Sequence, residues 1–152
     1  MPFSLILHEP LIPSNTGSIG RLCVNLGIKL HLIEPLGFNL SDSKLKRAGL
    51  DYWPRLDYQV HKSIPKNPTG RVLAFTTKGD TSLWDVEFEK GDFLLFGRED
   101  IGLPDLAKEE ADLKIRIPMI PNERSLNLAM SVSIASYEAM RQLSKKEELN
   151  HV

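Results

Sequence analysis

The sequence predicts an α/β fold with a mainly parallel sheet flanked by helices. Short apolar runs of strand length alternate with helical patterns along the whole chain. The first of these runs, FSLILHEP, and the next, KLHLIEP, flank a segment whose apolar residues recur every three or four positions. A helix between two such strands acts as a crossover, so the strands run parallel. The 152 residues suffice for one domain, with a core over about 3–143 and a charged tail, 144–152, that we expect to fray.

The first helix has recognisable signals at both ends. Ser14 or Asn15 can serve as its N-cap, and the helix is expected to end near Leu26. Gly27 then stands where a left-handed C-terminal residue belongs. The sequence therefore predicts a βαβ unit at the start of the chain.

The remaining elements continue the alternation. A short basic helix in SDSKLKRAGLDYW is expected to be capped by Ser41 or Ser43. Strands are predicted in DYQVHKS, RVLAFTTKGD, DFLLFGRED and LKIRIPM, and a helix is expected to begin near Pro104. A last helix is predicted from about Leu126 to Leu143.

Composition excludes several classes of protein. A net charge of −1 gives no overall signal for nucleic-acid binding, although a local basic patch remains open. The single cysteine, Cys23, cannot build a disulfide framework or a thiolate zinc site, and the four histidines lack metal-ligand spacing. The apolar N-terminal run is too short for a signal peptide or a membrane span. We therefore expect a soluble, cytoplasmic protein without a metal or a membrane partner.

Four loops follow predicted strands and hold much of the glycine and proline. In a parallel sheet, ligands bind at the carboxyl ends of the strands, so these loops are the candidate site. The segments are HEPLIPSNTG, TTKGD, FGREDIGLP and IPMIPNERS. A nicotinamide-dependent enzyme is poorly supported because SNTGSIG lacks the first glycine of the dinucleotide fingerprint.

Several polar residues in or near these loops could do chemistry, and each also has a simpler structural interpretation. Arg21 lies about two turns into the first helix, where it could reach a ligand or remain a solvated charge. Asn15, Ser125 and Asn127 could be capping residues, and Glu99 could be a turn carboxylate. Their convergence at strand ends nevertheless favours a functional site.

Three segments together resemble a known family. In order and spacing, PSNTGSIGR, FGREDIGLP and IPMIPNERSLNLAMSVSIASYEAMRQ resemble the motifs of the SPOUT class of RNA ribose 2′-O-methyltransferases. The likeness runs from residue 3 to about 143. HLIEPLGF, KLKRAGLDYW and TTKG resemble one branch, the single-domain tRNA (cytidine/uridine-34) wobble-ribose 2′-O-methyltransferases.

The resemblance implies a fold, a cofactor and partners. The C-terminal segment would thread a loop to form a deep trefoil knot, which general topology rules do not anticipate. The cofactor would be S-adenosylmethionine, with S-adenosylhomocysteine as product. The substrate would be the anticodon stem-loop of tRNA, and a homodimer would complete the site across its interface.

The resemblance also assigns roles to individual residues. It implies catalytic-site positions at Asn15, Arg21, Glu99 and Asn127. Cofactor contacts are implied for residues of three loops: Phe75, Thr76, Gly97, Ile117, Met119, Ser125 and Leu126. The last helix, with Ser131, Ser133, Ala135 and Ser136, would pack closely against its twin in the dimer, and Met130, Tyr137 and Met140 would be larger contacts.

Arg21 is the main catalytic candidate. The sulfonium already activates the methyl group, so the protein must align the ribose 2′-oxygen and favour its negative charge. Arginine, whose pKa exceeds about 12, is a poor general base. We therefore predict an electrostatic role for Arg21, either at the developing alkoxide or at the neighbouring phosphate.

RNA contacts are predicted on basic residues, with a solvated helix face as the alternative. The candidates are Arg21, Lys44, Lys46, Arg47 and Arg124. Tyr52 and Trp53 could stack on unpaired bases, and Arg55 and Arg116 add positive charge. A non-catalytic RNA-binding or regulatory protein on the same scaffold is the second functional hypothesis.

Overall fold

A computed structural model describes residues 1–49, 52–65 and 69–150. The seven strands of its sheet are β1 (Phe3–His8), β2 (Lys29–Ile33), β3 (Tyr58–His61), β4 (Val72–Phe75), β5 (Thr81–Ser82), β6 (Asp92–Phe96) and β7 (Leu113–Arg116). The α-helices within the described ranges are α1 (Pro13–Leu26), α2 (Ser43–Gly49), α3 (Asp105–Glu110) and α4 (Leu128–Asn150).

The sheet has the order β3-β2-β1-β6-β4-β7-β5, and each neighbouring pair is parallel. The predicted α/β class, the βαβ start and the parallel sheet are therefore confirmed. β5 was not predicted, because a strand of two residues is too short to show a pattern in the sequence. Among the described residues, no helix is long and apolar enough to cross a membrane.

The connection between β4 and β5 crosses over β7, a strand that lies later in the sequence. β4 pairs with one edge of β7 and β5 pairs with the other, so residues 76–80 bridge the end of β7. The approach is close: a Cβ added to Gly79 would lie 2.5 Å from the carbonyl carbon of Ile115. Arg116 also donates a 2.9 Å hydrogen bond to the Gly79 carbonyl oxygen. This crossing is compatible with the predicted trefoil knot, which stays a prediction.

The two faces of the sheet are covered by different helices. On one face, buried residues of β1 and β2 such as Leu5 and Leu30 share a cluster with Cys23 of α1 and Val132 of α4. On the other face, Ile6 and its neighbours pack against the short helix α3. Both faces are thus apolar, as expected for parallel strands.

The helix starts differ from the predicted caps. α1 begins at Pro13 with Ile12 as N-cap, so Ser14 and Asn15 lie inside the helix and cap nothing. Proline suits a first helical turn because its missing N–H would have no partner there. At α2, Asp42 accepts a 2.8 Å hydrogen bond from the Lys44 amide, in place of the predicted Ser41 or Ser43. Gly27 does adopt the expected left-handed conformation, with φ of 66°.

The last helix is longer than predicted. α4 begins at Leu128 and continues to Asn150, so the expectation of a frayed tail from residue 144 is wrong as far as Asn150. Gln142 accepts from the Phe88 amide and donates to the Val86 carbonyl, and Lys146 donates to the Phe88 carbonyl. These contacts hold the polar end of α4 against the segment just before β6. The mixed charge of the tail in the sequence does not predict them. His151 and Val152 lie outside the described residues.

The small residues of α4 serve the core of their own chain. Ala135 and Ser136 have no solvent exposure within the single chain, so their predicted packing against a twin helix is wrong. Ser133 donates a 2.8 Å hydrogen bond to the Ala129 carbonyl four residues earlier. Met130 and Tyr137 are exposed by 57% and 55% and remain available to a partner.

His31 should make the fold sensitive to acid. It is buried, and its Nδ1 lies 2.9 Å from Nε2 of His61. Burial lowers its pKa to about 4, with contributions from the charges of His61 and Lys29, against an opposing effect of Asp57. Between pH 6.5 and about 4, the unfolded chain takes up a proton here that the folded chain does not. Stability therefore falls as pH falls through this window, by on the order of 1–3 kcal/mol.

Urea unfolding of the wild type and His31→Gln at pH 7 and pH 4.5 checks this expectation. The variant should lose less stability between the two pH values than the wild type does. Equal losses would show that another group causes the acid sensitivity.

Candidate active site

A cavity of about 800 Å³ lies beyond the carboxyl ends of β4, β6 and β7. Its walls come from three loops: 76–78 after β4, 97–103 after β6, and 117–126 after β7, excepting Pro118 and Arg124. These belong to three of the four loops that the sequence singled out. The volume falls in the range of small-molecule sites.

All seven residues predicted to contact a cofactor line this one cavity: Phe75, Thr76, Gly97, Ile117, Met119, Ser125 and Leu126. Their convergence from three separate loops follows from the parallel sheet, which brings the ends of its strands to one edge. A contact with a cofactor stays a prediction for each of them.

The floor of the cavity is apolar and its rim is polar. Phe75 and Phe96 stack with ring centroids 4.6 Å apart and an interplanar angle of 13°. The rim carries Lys78, Asp100 and Glu123, all of them exposed. Of these, Lys78 lies in TTKGD and Asp100 in FGREDIGLP, so loop position was the signal that could have found them.

Gly97 permits the tight turn that closes one wall. A Cβ at this position would lie 2.2 Å from the Gly102 carbonyl carbon and 2.3 Å from the Leu103 nitrogen. The turn is held by Arg98 and Gly102, whose amides each donate to the other's carbonyl, at 3.2 and 2.8 Å. Because the obstructing atoms are backbone, they cannot move aside as a flexible side chain could.

Glu99 joins the second loop to the start of α1. Its two carboxylate oxygens accept hydrogen bonds from the amides of Leu11 and Ile12, at 2.8 and 2.7 Å. The carboxylate thus satisfies backbone donors just before a helix that lacks a side-chain cap of its own. A negative charge at this end also complements the helix dipole.

Asn15 and Asn127 extend this link to the third loop. Asn15 donates to Glu99 at 3.4 Å, and Asn127 donates to the side-chain oxygen of Asn15 at 3.3 Å. The side chain of Asn127 also accepts from the Ala129 amide at 2.8 Å, as predicted for a cap of the last helix. The three residues therefore meet in space, and the contacts that they make here connect loops. A catalytic role for them stays a prediction.

Glu99→Gln should loosen the start of α1. Glutamine keeps one acceptor oxygen but replaces the other with an N–H₂ group, which faces a backbone donor. We expect a loss of about 1–2 kcal/mol in the free energy of unfolding, measured by urea denaturation.

Asp100→Asn is the matched control, since Asp100 is exposed and pairs with its neighbour Arg98. It should leave the unfolding midpoint nearly unchanged. A Glu99→Gln protein as stable as this control would remove the capping role.

Arg21 does not line the cavity of its own chain. It is exposed on α1, and its guanidinium carbon lies over the ring of Tyr52, 4.9 Å from the ring centre. Within the described residues, no carboxylate forms an ion pair with it. The structure thus brings Asn15, Glu99 and Asn127 together but leaves Arg21 apart from the cavity.

The other predicted RNA contacts are dispersed. Lys44 and Arg47 are exposed on α2, and Arg124 is exposed beside Ser125 near the cavity. The side chain of Lys46 lies outside the described part of the structure. Arg116 lines the cavity, where it bonds to the Gly79 carbonyl.

This chain is similar in sequence to known proteins over nearly its whole length. The chain is 47% identical over 148 residues to the tRNA (cytidine(34)-2′-O)-methyltransferase of Escherichia coli strain K12, covering 92% of this chain and 93% of that protein. It is 44% identical over 146 residues to the enzyme of the same name from Methylovorus glucosotrophus, covering 92% and 95%.

Solved structures of methyltransferases have folds similar to that of this chain. One, from work on 2′-OH methylation of C/U34 on tRNA, superposes with a TM-score of 0.88 at 47% identity, covering 94% of this chain and 97% of the other. AviRb of Streptomyces viridochromogenes, solved with the cofactor AdoMet, gives 0.81 at 25% identity, covering 91% of this chain and 57% of that one.

Together with the similarity to these relatives, the parallel sheet and the cavity formed by its loops define the chain as a methyltransferase with an α/β fold. More particularly, the chain belongs to the SpoU rRNA methylase family, whose model matches residues 2–137.

Proposed function

We propose that this protein transfers a methyl group from S-adenosylmethionine to the ribose 2′-oxygen of the wobble nucleotide, cytidine or uridine 34, in tRNA. The observation that carries the proposal is the cavity, on which the loops after β4, β6 and β7 converge, the last two of them within family motifs. The relatives that act at this nucleotide match nearly the whole chain, so the substrate is inferred from them.

The residues of the cavity fit the cofactor chemically. The stacked Phe75 and Phe96 offer an apolar surface to an adenine ring, and Thr76 and Ser125 offer hydroxyl groups to its polar edges. At the rim, the carboxylate of Glu123 complements a positive charge, whereas that of Asp100 is already paired with Arg98. When bound, S-adenosylmethionine supplies a methyl group that its sulfonium has already activated. Gly97 and the crossing at 76–80 shape the walls that would hold it.

The protein's own contribution is to place the ribose and favour negative charge on its oxygen. Arg21 is proposed for this role, because a fixed guanidinium stabilises an oxyanion or a phosphate with two directed N–H groups. Since Arg21 does not line the cavity of its own chain, we propose that a second copy of the chain brings its Arg21 to the site.

Exposed apolar residues support this homodimer. Met130, Ile134 and Tyr137 recur along one side of α4, with exposures of 57%, 38% and 55%. Leu11 and Ile12, just before α1, are exposed by 38% and 41%. An apolar stripe on a helix suits a partner surface, and homodimers with two-fold symmetry are the commonest oligomers.

Ile134→Lys should convert the dimer to monomer, or weaken it by about tenfold or more, because a charge would be buried in the interface. Sedimentation velocity over a range of protein concentrations measures the change. Trp84→Lys is the matched control, since Trp84 is 69% exposed and lies beside β5 at the edge of the sheet. An unchanged mass for Ile134→Lys would remove this face of α4 from the interface.

Methyl transfer itself is tested by incubating the protein with labelled S-adenosylmethionine and bulk bacterial tRNA, then mapping the labelled nucleotide. Label on the 2′-oxygen of nucleotide 34 is expected. Label in a base, or outside the anticodon, would overturn the substrate assignment.

The alternative, a non-catalytic RNA-binding protein, would keep the fold and lose the cofactor. Calorimetric titration with S-adenosylmethionine separates the two. Measurable heat of binding supports the enzyme, and its absence, together with no thermal protection, supports the binding protein.

A further inference from the structure

Two exposed isoleucines interrupt the polar rim of the cavity. Ile101, in the loop after β6, is 69% exposed, and Ile120, in the loop after β7, is 76% exposed. Both residues line the cavity, although they come from different loops. Aliphatic surface is more stable out of water, so two such side chains at one cavity mouth indicate a surface that a ligand covers.

The backbone holds Ile101 in a tight turn. Arg98 and Gly102, on either side of it, donate to each other's carbonyl oxygens, and Gly102 has a left-handed φ of 71°. The Arg98 guanidinium also donates two hydrogen bonds to Asp100, at 2.6 and 2.8 Å. The turn therefore fixes the position of Ile101 while the charged side chains beside it pair with each other.

Prolines restrict the backbone on both sides of Ile120. Pro118 and Pro121 each have a fixed φ, and the residue before a proline favours an extended conformation. The turn that follows is closed by a 3.4 Å hydrogen bond from the Glu123 amide to the Ile120 carbonyl, with Asn122 at a φ of 69°. A side chain on such a loop loses little conformational freedom when a ligand covers it.

The position of these isoleucines suits the base of the nucleotide that is methylated. The acceptor ribose must enter the mouth of the cavity, and its base is bonded to the same sugar, so the base stays near the rim. Bases of an anticodon loop are unpaired, which leaves their flat faces free to pack on side chains. A second copy of the chain fits less well, because two side chains offer far less than the roughly 800 Å² per partner that a stable interface buries.

We infer that Ile101 and Ile120 pack against the flat face of the base whose ribose is methylated. This inference rests on the proposed function for its RNA substrate, and it adds a binding subsite for the base. A contact with the face reads none of the hydrogen-bonding groups on the edge of the base, so cytidine and uridine fit alike. The two isoleucines are positioning residues, which hold the nucleotide at the cavity without taking part in methyl transfer.

The test compares a complete anticodon stem-loop RNA with one that lacks the base of nucleotide 34 but keeps its ribose. Affinities are measured by fluorescence anisotropy with saturating S-adenosylhomocysteine. The wild type should bind the abasic RNA about tenfold more weakly than the complete RNA. A variant that combines Ile101→Ala with Ile120→Ala should bind the two RNAs within about twofold of each other, because the contact has already been removed from the protein side.

Leu106→Ala is the matched control, since Leu106 on α3 is 64% exposed and does not line the cavity. It should keep the wild-type difference between the two RNAs. A double isoleucine variant that also keeps this difference overturns the inference, as does a wild type that binds both RNAs equally.

Two further measurements on the double variant distinguish the other ligands that could cover these side chains. Its affinity for S-adenosylmethionine in calorimetry and its mass in sedimentation velocity should equal those of the wild type. A clear loss of cofactor affinity would show that the isoleucines cover the cofactor, and a lower mass would assign them to an interface between copies of the chain. Either result overturns the inference.

Methyl transfer to both RNAs is assayed in parallel, which separates this inference from the proposed function. A wild type that prefers the complete RNA but methylates neither contradicts the proposed function, and the double variant still decides the role of the isoleucines. A wild type that methylates nucleotide 34 but binds both RNAs equally contradicts this inference alone. A wild type that binds neither RNA contradicts both.

Discussion

Gly97→Ala should abolish the binding of S-adenosylmethionine. The added methyl group would lie 2.2 Å from the Gly102 carbonyl carbon, so the turn that forms one wall of the cavity would have to open. Opening it breaks the paired hydrogen bonds between Arg98 and Gly102. We expect affinity to fall by at least a hundredfold in isothermal titration calorimetry, with a loss of about 2–4 kcal/mol in the free energy of unfolding.

Gly27→Ala is the control for the general effect of adding a methyl group to a glycine. An added Cβ at Gly27 has no neighbour within 4 Å, and its φ of 66° makes the substitution unfavourable by about 1 kcal/mol. This variant should lose stability but bind the cofactor normally. Normal binding by Gly97→Ala would show that the turn after β6 is not part of the cofactor site.

Arg21→Lys should reduce the rate of methyl transfer by about a hundredfold or more, equivalent to about 2.7 kcal/mol of transition-state stabilisation. Lysine keeps the positive charge but loses the planar pair of donors and the flat surface that lies over Tyr52. Cofactor affinity should be unchanged, because Arg21 does not line the cavity of its own chain and is proposed to act on the ribose of the substrate. Single-turnover kinetics with saturating cofactor and tRNA measure the effect.

Arg141→Lys is the matched control, an exposed arginine on α4 that pairs with Glu138. It should change the transfer rate little. Near wild-type transfer by Arg21→Lys would mean that directed positioning is not needed, and the electrostatic role proposed for this guanidinium would fail.

Local patterns in the sequence were enough to predict most of the sheet. Four strands, β1, β2, β4 and β6, have a buried, apolar run that the sequence displays. What the patterns missed depends on partners distant in sequence. Glu99, which is 87 residues from Ile12, accepts the hydrogen bond at the start of α1 that Ser14 or Asn15 was predicted to accept. Gln142 accepts a hydrogen bond from the Phe88 amide and so holds the last helix in place. No local window contains both members of such a pair.

The cavity was predictable because parallel strands end at one edge. The loops that contribute Thr76, Gly97 and Ser125 follow three different strands, and each was visible as a glycine- or proline-bearing segment. The inward direction of Ala135 was not predictable, because a small residue packs equally well against its own core or a neighbouring chain. The contact of Arg21 with Tyr52 was hidden for another reason: its partner lies beyond β2 and α2.

The crossing of residues 76–80 over β7 has a consequence for the order of events during synthesis. β7 and the loop up to Leu126 are made after the crossing, and they supply a large part of the cavity wall. A nascent chain that has emerged only as far as Asp112 therefore holds the floor residues Phe75 and Phe96 without the wall opposite them. Cofactor cannot assist the early folding of this protein, and it can stabilise only a chain whose last quarter has already been placed.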